Sequence, residues 1–241
     1  MAEAKVRLYV DQPLAARQPV SVGVDQANYL FNVMRLGRGD AALLFNGRDG
    51  EWRAVVEQAG KRAGVLVCEA LTGPQKMPPD LWLLFAPIKK VRTDFIVEKA
   101  VELGVARILP VQTRFTNAER IRQDRLQAHA VEAAEQCGAT FVPEVAELVS
   151  LDKLLATWPS GRRLLWCDEA RLDQPTALTG ERGWPWAILI GPEGGLSGDE
   201  QSHLRAMPQV VPLSLGPRIL RADTAAVAAL TLWQARLGDW V

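Results

Sequence analysis

The run Ile188-Leu189-Ile190 leads into Gly191-Pro192-Glu193-Gly194-Gly195-Leu196-Ser197, and this junction constrains the fold more than any other stretch of the chain. The apolar segment 186–190 reads as a strand. Ser197 and Glu200, three residues apart, form a capping-box pattern that predicts a helix start. The order is therefore strand, glycine loop, helix. In open α/β sheets ligands sit there, outside the carboxyl end of a strand. The loop carries Glu193 and lacks the Lys-Ser/Thr pair of a phosphate loop. A carboxylate repels phosphate, so the ligand is expected to be neutral or cationic at this point. A plain tight turn would also use glycines, because positive φ disfavours a residue with a Cβ.

A second loop, Leu213-Ser214-Leu215-Gly216-Pro217-Arg218-Ile219-Leu220-Arg221-Ala222-Asp223-Thr224, joins the last short strand to the last helix. Asp223 or Thr224 is expected to cap that helix. The helix opens Ala225-Ala226-Val227-Ala228-Ala229, small on every side, which allows close packing on another element or another subunit. Arg218 and Arg221 flank Ile219-Leu220. One reading is a ligand pocket with guanidinium donors at its mouth, and the other a connection with solvated arginines.

The rest of the chain divides in two. Over residues 1–72, short apolar stretches (6–10, 19–24, 41–45, 52–56 and 65–70) alternate with turns that include Asn46-Gly47 and Asp49-Gly50. This spacing predicts a small β-barrel interrupted by one helix near 26–34. Residues 73–80, rich in Pro and Gly, read as a linker. From 81 to 241 strands (81–86, 107–111, 163–167, 186–190, 210–213) alternate with helices (93–103, 118–137, 199–206, 223–237). That order predicts an α/β domain: a mostly parallel sheet with helices on both faces.

Composition narrows the function classes. No stretch approaches the ~20 apolar residues of a membrane helix. Residues 1–5 have no apolar core of a signal peptide, so a cytoplasmic protein is expected. Cys68, Cys137 and Cys167 make an odd set without a Cys-x-x-Cys pair, and only His129 and His203 are present. Neither a disulfide framework nor a metal site is expected. Net charge is zero, but residues 89–125 carry nine Lys/Arg against five Asp/Glu, and residues 126–217 six against twelve. The basic segment is a candidate RNA surface, or else a set of solvated helix faces.

The two loops together resemble the signature of the RsmE family, ribosomal RNA methyltransferases of the SPOUT superfamily. Val33-Met34-Arg35-Leu36 is similar to that family's Val-Leu-Arg motif. The segment 95–104 (Phe-Ile-Val-Glu-Lys-Ala-Val-Glu-Leu-Gly) resembles its first helix, and Glu135-Gln136-Cys137-Gly138 its Glu-Gln-x-Gly segment. The matches span nearly the whole chain in the family's order. The resemblance implies a PUA-like β-barrel that helps hold RNA, followed by a SPOUT domain whose end is threaded into a trefoil knot, an exception to the no-knot rule. It implies S-adenosylmethionine bound in the knot and a homodimer formed through the SPOUT domain. The implied reaction is methylation of N3 of a uridine in 16S rRNA, in the decoding region of the small ribosomal subunit.

The residues suit that chemistry. S-adenosylmethionine carries an adenine, a ribose and a sulfonium, and no phosphate. Leu189, Ile190, Gly191, Gly194, Leu215, Gly216 and Leu220 are candidates to meet the adenosyl part. Leu215, Ile219 and Leu220 are candidates to sandwich adenine. Glu193 is a candidate for a ribose hydroxyl or for the cation, or for capping local backbone. Uridine N3 is a poor nucleophile until its proton leaves. Arg218 or Arg221, with Arg218 favoured, would stabilise charge on O2 and O4, while Asp223 and Thr224 help orient the guanidinium. No residue stands out as the base, and water would serve. Arg7, Arg35, Arg38, Lys89, Lys90, Arg92 and Arg114 are the candidate RNA contacts. The chain departs from the family pattern at Ala139-Thr140, where many relatives have Arg directly after Glu-Gln-x-Gly, and at Ala222-Asp223, where the family's loop often has Thr-Glu. Other readings are a SPOUT enzyme with another RNA target, a non-catalytic RNA-binding factor and a nucleotide-phosphate enzyme. The last lacks its Gly-x-Gly-x-x-Gly or Gly-Lys-Ser/Thr motif.

Overall fold

A computed structural model of the chain describes residues 4, 6–117, 121–168 and 178–240. It forms two compact units, Met1–Met77 with Ala134–Val142, and Pro78–Ala133 with Pro143–Val241.

The first unit is built on five strands: β1 (Arg7–Tyr9), β2 (Pro19–Val22), β3 (Ala41–Phe45), β4 (Glu51–Ala59) and β5 (Gly64–Gly73). They pair in the order β1-β3-β4-β5-β2, antiparallel except for β1 with β3. The Gln12 amide donates to the Ser21 carbonyl at 2.7 Å and accepts from its N–H at 2.9 Å. It thus stands in for a strand partner against the edge of β2. Inward residues Leu8, Val20, Val22, Leu44, Ala54, Val56 and Leu66 form the core. The β3–β4 turn is drawn in by Asn46, whose Oδ1 accepts from the N–H groups of Arg48 and Asp49. Gly47 and Gly50 take the positive φ this turn needs.

The expected helix begins as α1 (Val24–Ala27) and widens into a π-helical turn, Asn28–Val33, that stops at Arg35 in the left-handed region (φ 57°). Its Phe31 ring lies against Gly64, where any Cβ would collide with it.

The second unit is parallel. β6 (Leu81–Phe85), β7 (Arg107–Gln112), β8 (Glu144–Val145), β10 (Arg163–Cys167), β11 (Trp186–Ile190) and β12 (Val210–Leu213) pair in the order β12-β10-β11-β6-β7-β8, and β9 (Val149–Ser150) also pairs with β7. All five residues of β11 are buried. Ala187 and Leu189 pack with Leu151 and Leu155 of α4 (Leu151–Ala156) and with Leu204 of α5 (Gly198–Ala206). The alternate residues face the other side, where α6 (Ala222–Leu237) meets β11 and packs on α2 (Lys90–Glu102). Gly104, at φ 71°, ends α2 as predicted.

α2 begins three residues before the predicted start. The Thr93 hydroxyl accepts from the Ile88 N–H and donates to its carbonyl, which folds the preceding loop onto the first turn. α3 (Gln123–Cys137) begins later than predicted. Residues 121–122 are not helical, and 118–120 lie outside the described residues. The short elements β8, β9 and α4 have no counterpart in the sequence reading. No described helix is long and apolar enough to cross a membrane.

Candidate active site

The neighbouring parallel strands β12, β10 and β11 end side by side, and their carboxyl ends open onto a cavity of about 390 Å³. Cys167 and Asp168 line it from the end of β10, residues 190–195 from the end of β11 and the loop after it, and residues 213–216 and 218–221 from the end of β12 and the loop after it. Ala222 and Ala225 line it from α6. The wall beyond β11 is mostly backbone, because Gly191, Gly194 and Gly195 have no side chains to stand in the way. Gly195 (φ 70°) and Gly216 (φ 103°) hold conformations that disfavour other residues. A Cβ on Gly194 would stand 3.3 Å from Phe115 Cβ, so glycine there lets the loop after β7 come close.

One buried carboxylate fixes this corner. Glu200 Oε2 accepts from the Ser197 N–H and hydroxyl, both at 2.8 Å, and the Ser197 hydroxyl accepts from the Glu200 N–H. The predicted capping box is thus present. Glu200 Oε1 also accepts from the Arg114 N–H at 2.8 Å, tying the loop after β7 to the start of α5. That second task is invisible in the sequence, since its partner lies 86 residues away.

The cap expected on α6 is different. Arg221 is the N-cap residue and no side chain caps it. The helix starts at Ala222, so Asp223 and Thr224 fall inside its first turn. Asp223 Oδ1 accepts from the Thr224 N–H at 2.9 Å, placing a negative charge at the positive end of the helix dipole.

Ile190, Gly191, Glu193, Gly194, Leu215, Gly216, Ile219 and Leu220 all line the cavity, as do Arg218 and Arg221, which are exposed. Leu189 does not: the strand alternation turns its side chain into the core with Leu84 and Trp166. Ile219 is 74% exposed, at the surface end of the cavity wall. Thr224 is exposed on α6 and is not a lining residue. The sequence reading passed over Asp168, a buried acid in the cavity wall whose carboxylate lies 3.7 Å from Arg205. Its one signal was its position directly after a predicted strand.

The candidate RNA contacts separate into three kinds. Arg35, Arg38, Lys89, Lys90 and Arg114 are exposed. Arg7 is mostly buried: its guanidinium bonds Glu51 and the carbonyls of Ala134, Glu135 and Ala139, and stacks over Phe45. Four of its N–H donors are committed, which points to a structural staple rather than an RNA contact. Arg92 lies between Glu193 and Asp223, 3.7 Å from each. Glu193 therefore faces a cation of the protein itself, a partner the sequence did not suggest.

Comparison with known proteins agrees with this geometry. Residues 75–234 match the RNA methyltransferase domain family, and residues 23–67 the RNA methyltransferase PUA domain. The ribosomal RNA small subunit methyltransferase E of Rickettsia conorii is 30% identical over 236 residues, 96% of this chain and 95% of that protein. The enzyme of the same name from Bacillus subtilis is 26% identical and covers 88% of each chain. Among solved structures, the Neisseria gonorrhoeae ribosomal RNA small subunit methyltransferase E bound to S-adenosylmethionine superposes with a TM-score of 0.83 at 26% identity, over 98% of this chain and 99% of that one. A Legionella pneumophila methyltransferase with the same cofactor bound gives 0.85 at 28% identity, over 99% and 100%. A glycine-walled cavity at the ends of three parallel strands and matches running the length of the chain lead to one placement: the chain belongs to the RsmE family, the ribosomal RNA small subunit methyltransferases E.

Proposed function

We propose that this protein transfers a methyl group from S-adenosylmethionine to N3 of a uridine in 16S rRNA, in the decoding region of the small ribosomal subunit. The observation that carries the reading is the cavity beyond β10, β11 and β12. Its wall of glycine backbone and its apolar Leu215 and Leu220 suit a phosphate-free adenosyl ligand. The two relatives solved with S-adenosylmethionine support the choice of ligand.

When bound, S-adenosylmethionine supplies an electrophilic methyl on a sulfonium. The chain's own residues do the rest. The backbone of residues 190–195 and 215–220 holds the adenosyl part, and Leu215 and Leu220 offer it apolar faces. Arg218 and Arg221, exposed at the cavity, stabilise negative charge on O2 and O4 as N3 loses its proton. Water takes that proton. Arg35 and Arg38 in the PUA-like unit and Lys89, Lys90 and Arg114 in the methyltransferase unit hold RNA phosphates. The same reading takes residues 1–72 as the PUA-like domain, 73–80 as the linker and 81–241 as the SPOUT domain. It includes a trefoil knot at the C-terminal end, a homodimer through the SPOUT domain and a cytoplasmic location.

The test is methyl transfer to small subunits from cells that lack the endogenous enzyme, with the modified base mapped. The expected product is a single N3-methyluridine in 16S rRNA. No transfer, or a methyl on another atom, refutes the assignment.

A further inference from the structure

Arg92 stands in the first turn of α2, and its guanidinium meets carboxylates from two distant parts of the chain. Its Nη1 is 3.7 Å from Glu193 Oε1, and its Nε is 3.7 Å from Asp223 Oδ2. Glu193 belongs to the loop beyond β11 and Asp223 to the first turn of α6. Both segments supply walls of the cavity, while Arg92 itself does not line it. The turn that carries Arg92 is firmly placed, because the buried Thr93 hydroxyl locks it to Ile88. A single positive charge placed between two carboxylates attracts both at once. Without it, two like charges would share the same space and push the loop and the helix start apart.

All three side chains are partly exposed, 30% for Arg92, 44% for Glu193 and 21% for Asp223. Water screens both ion pairs, so they add little to global stability. Their effect is local, on the shape of the cavity. Resting on the reading above, we propose that Arg92 is a positioning residue for S-adenosylmethionine: it clamps Glu193 and Asp223 and so sets two walls of the cavity for the ligand. This replaces the RNA contact expected at Arg92 from its place in the basic segment.

The test is calorimetric titration of wild type, Arg92→Gln and Arg92→Lys with S-adenosylmethionine and with S-adenosylhomocysteine, which lacks the sulfonium charge, alongside steady-state kinetics. Arg92→Gln is expected to raise Kd for both ligands by about threefold to tenfold, the scale of two screened ion pairs. Arg92→Lys restores most of the affinity, the KM for RNA stays unchanged, and the melting temperature does not move. In a Glu193→Gln/Asp223→Asn background, Arg92→Gln has no further effect, because nothing is left to clamp. Equal binding by wild type and Arg92→Gln overturns the clamp, and so does a change confined to the KM for RNA or a failure of Lys to rescue. Absence of binding by the wild type is a different result, which overturns the cofactor reading itself.

Discussion

Arg218 and Arg221 both reach the cavity, yet they differ in setting. Arg221 is the N-cap residue of α6, whereas Arg218 sits in the free span of the loop, two residues after Gly216. Arg218→Ala is therefore expected to remove charge stabilisation with little effect on the fold. Its kcat should fall by about 10²-fold, the usual loss when one donor to a developing anion is removed, while calorimetric affinity for S-adenosylmethionine changes little. A second residue-scale prediction concerns acid. Asp49 Oδ2 accepts from the Leu14 N–H at 2.9 Å and from the Asn46 amide at 2.7 Å, which holds its carboxyl below the ordinary value of 3.8. A lowered folded-state value means that its stabilisation is complete above the unfolded pKa of about 3.9 and is lost as pH falls through the lowered value. Urea midpoints should drop below about pH 4 in the wild type and drop less in Asp49→Asn. Residues that reach the cavity from their own loop were legible in the sequence: Gly194, Leu215 and Arg218 line it and sit in contiguous motifs. Arg92, Asp168 and the second task of Glu200 were not, because each depends on a neighbour supplied by a different strand or helix.

Among the elements, α2 and α6 run parallel, joined near both ends. Arg92 meets Asp223 at their starts, and the Leu103 carbonyl accepts from the Gln234 side chain at 2.6 Å at their ends. The two ties are eleven residues apart on each helix, so the helices pack in register. Gln234 is fully buried, and its Oε1 also accepts from the Asp239 N–H, closing the C-terminus of α6. Gly104 and Gly238 crowd it so closely that a Cβ at either position would press on its amide. Gln234→Leu leaves the Leu103 carbonyl and the Asp239 N–H without that partner. Leu103 is half-buried and Asp239 exposed, so water can reach both groups, and a loss of about 1–2 kcal/mol is expected in denaturant titration, the net worth of two hydrogen bonds. Small residues in α6 announced a buried helix, and that much was readable. Its polar lock was not, since a lone Gln in an apolar helix resembles a surface position. The π-helical turn at 28–33 escaped for another reason: one inserted residue leaves the 3.6-residue pattern on either side intact.

At the scale of the whole molecule, the first unit is not continuous in sequence. It takes in Ala134–Val142, including the last turn of α3. A helix end leaves carbonyls without partners, and here the Arg7 guanidinium accepts that role, binding the carbonyls of Ala134, Glu135 and Ala139 at 2.6, 3.0 and 2.8 Å. A cation at the negative end of the helix dipole adds to the attraction. The Glu135 carboxylate answers by accepting the Tyr9 N–H at 2.9 Å, at the last residue of β1, the outermost strand of the sheet. Sequence reading placed the boundary at the Pro- and Gly-rich stretch near residue 73 because composition changes there. It had no means to see an arginine near residue 7 pairing with carbonyls more than 120 residues on. The consequence is measurable. In the full chain the Tyr9 amide should be strongly protected from hydrogen exchange. In a fragment ending at Met77 the carboxylate and all three carbonyls are missing, so Arg7 keeps only Glu51 and the Tyr9 amide keeps no partner of that kind. Exchange at Tyr9 should then quicken by more than about tenfold, since one lost hydrogen bond to a charged acceptor is worth at least that in opening free energy. Glu135→Ala in the full chain should reproduce the faster exchange at Tyr9 while the Arg7 bonds to the carbonyls remain. Unchanged protection at Tyr9 in both proteins would show that the first unit stands without the α3 segment.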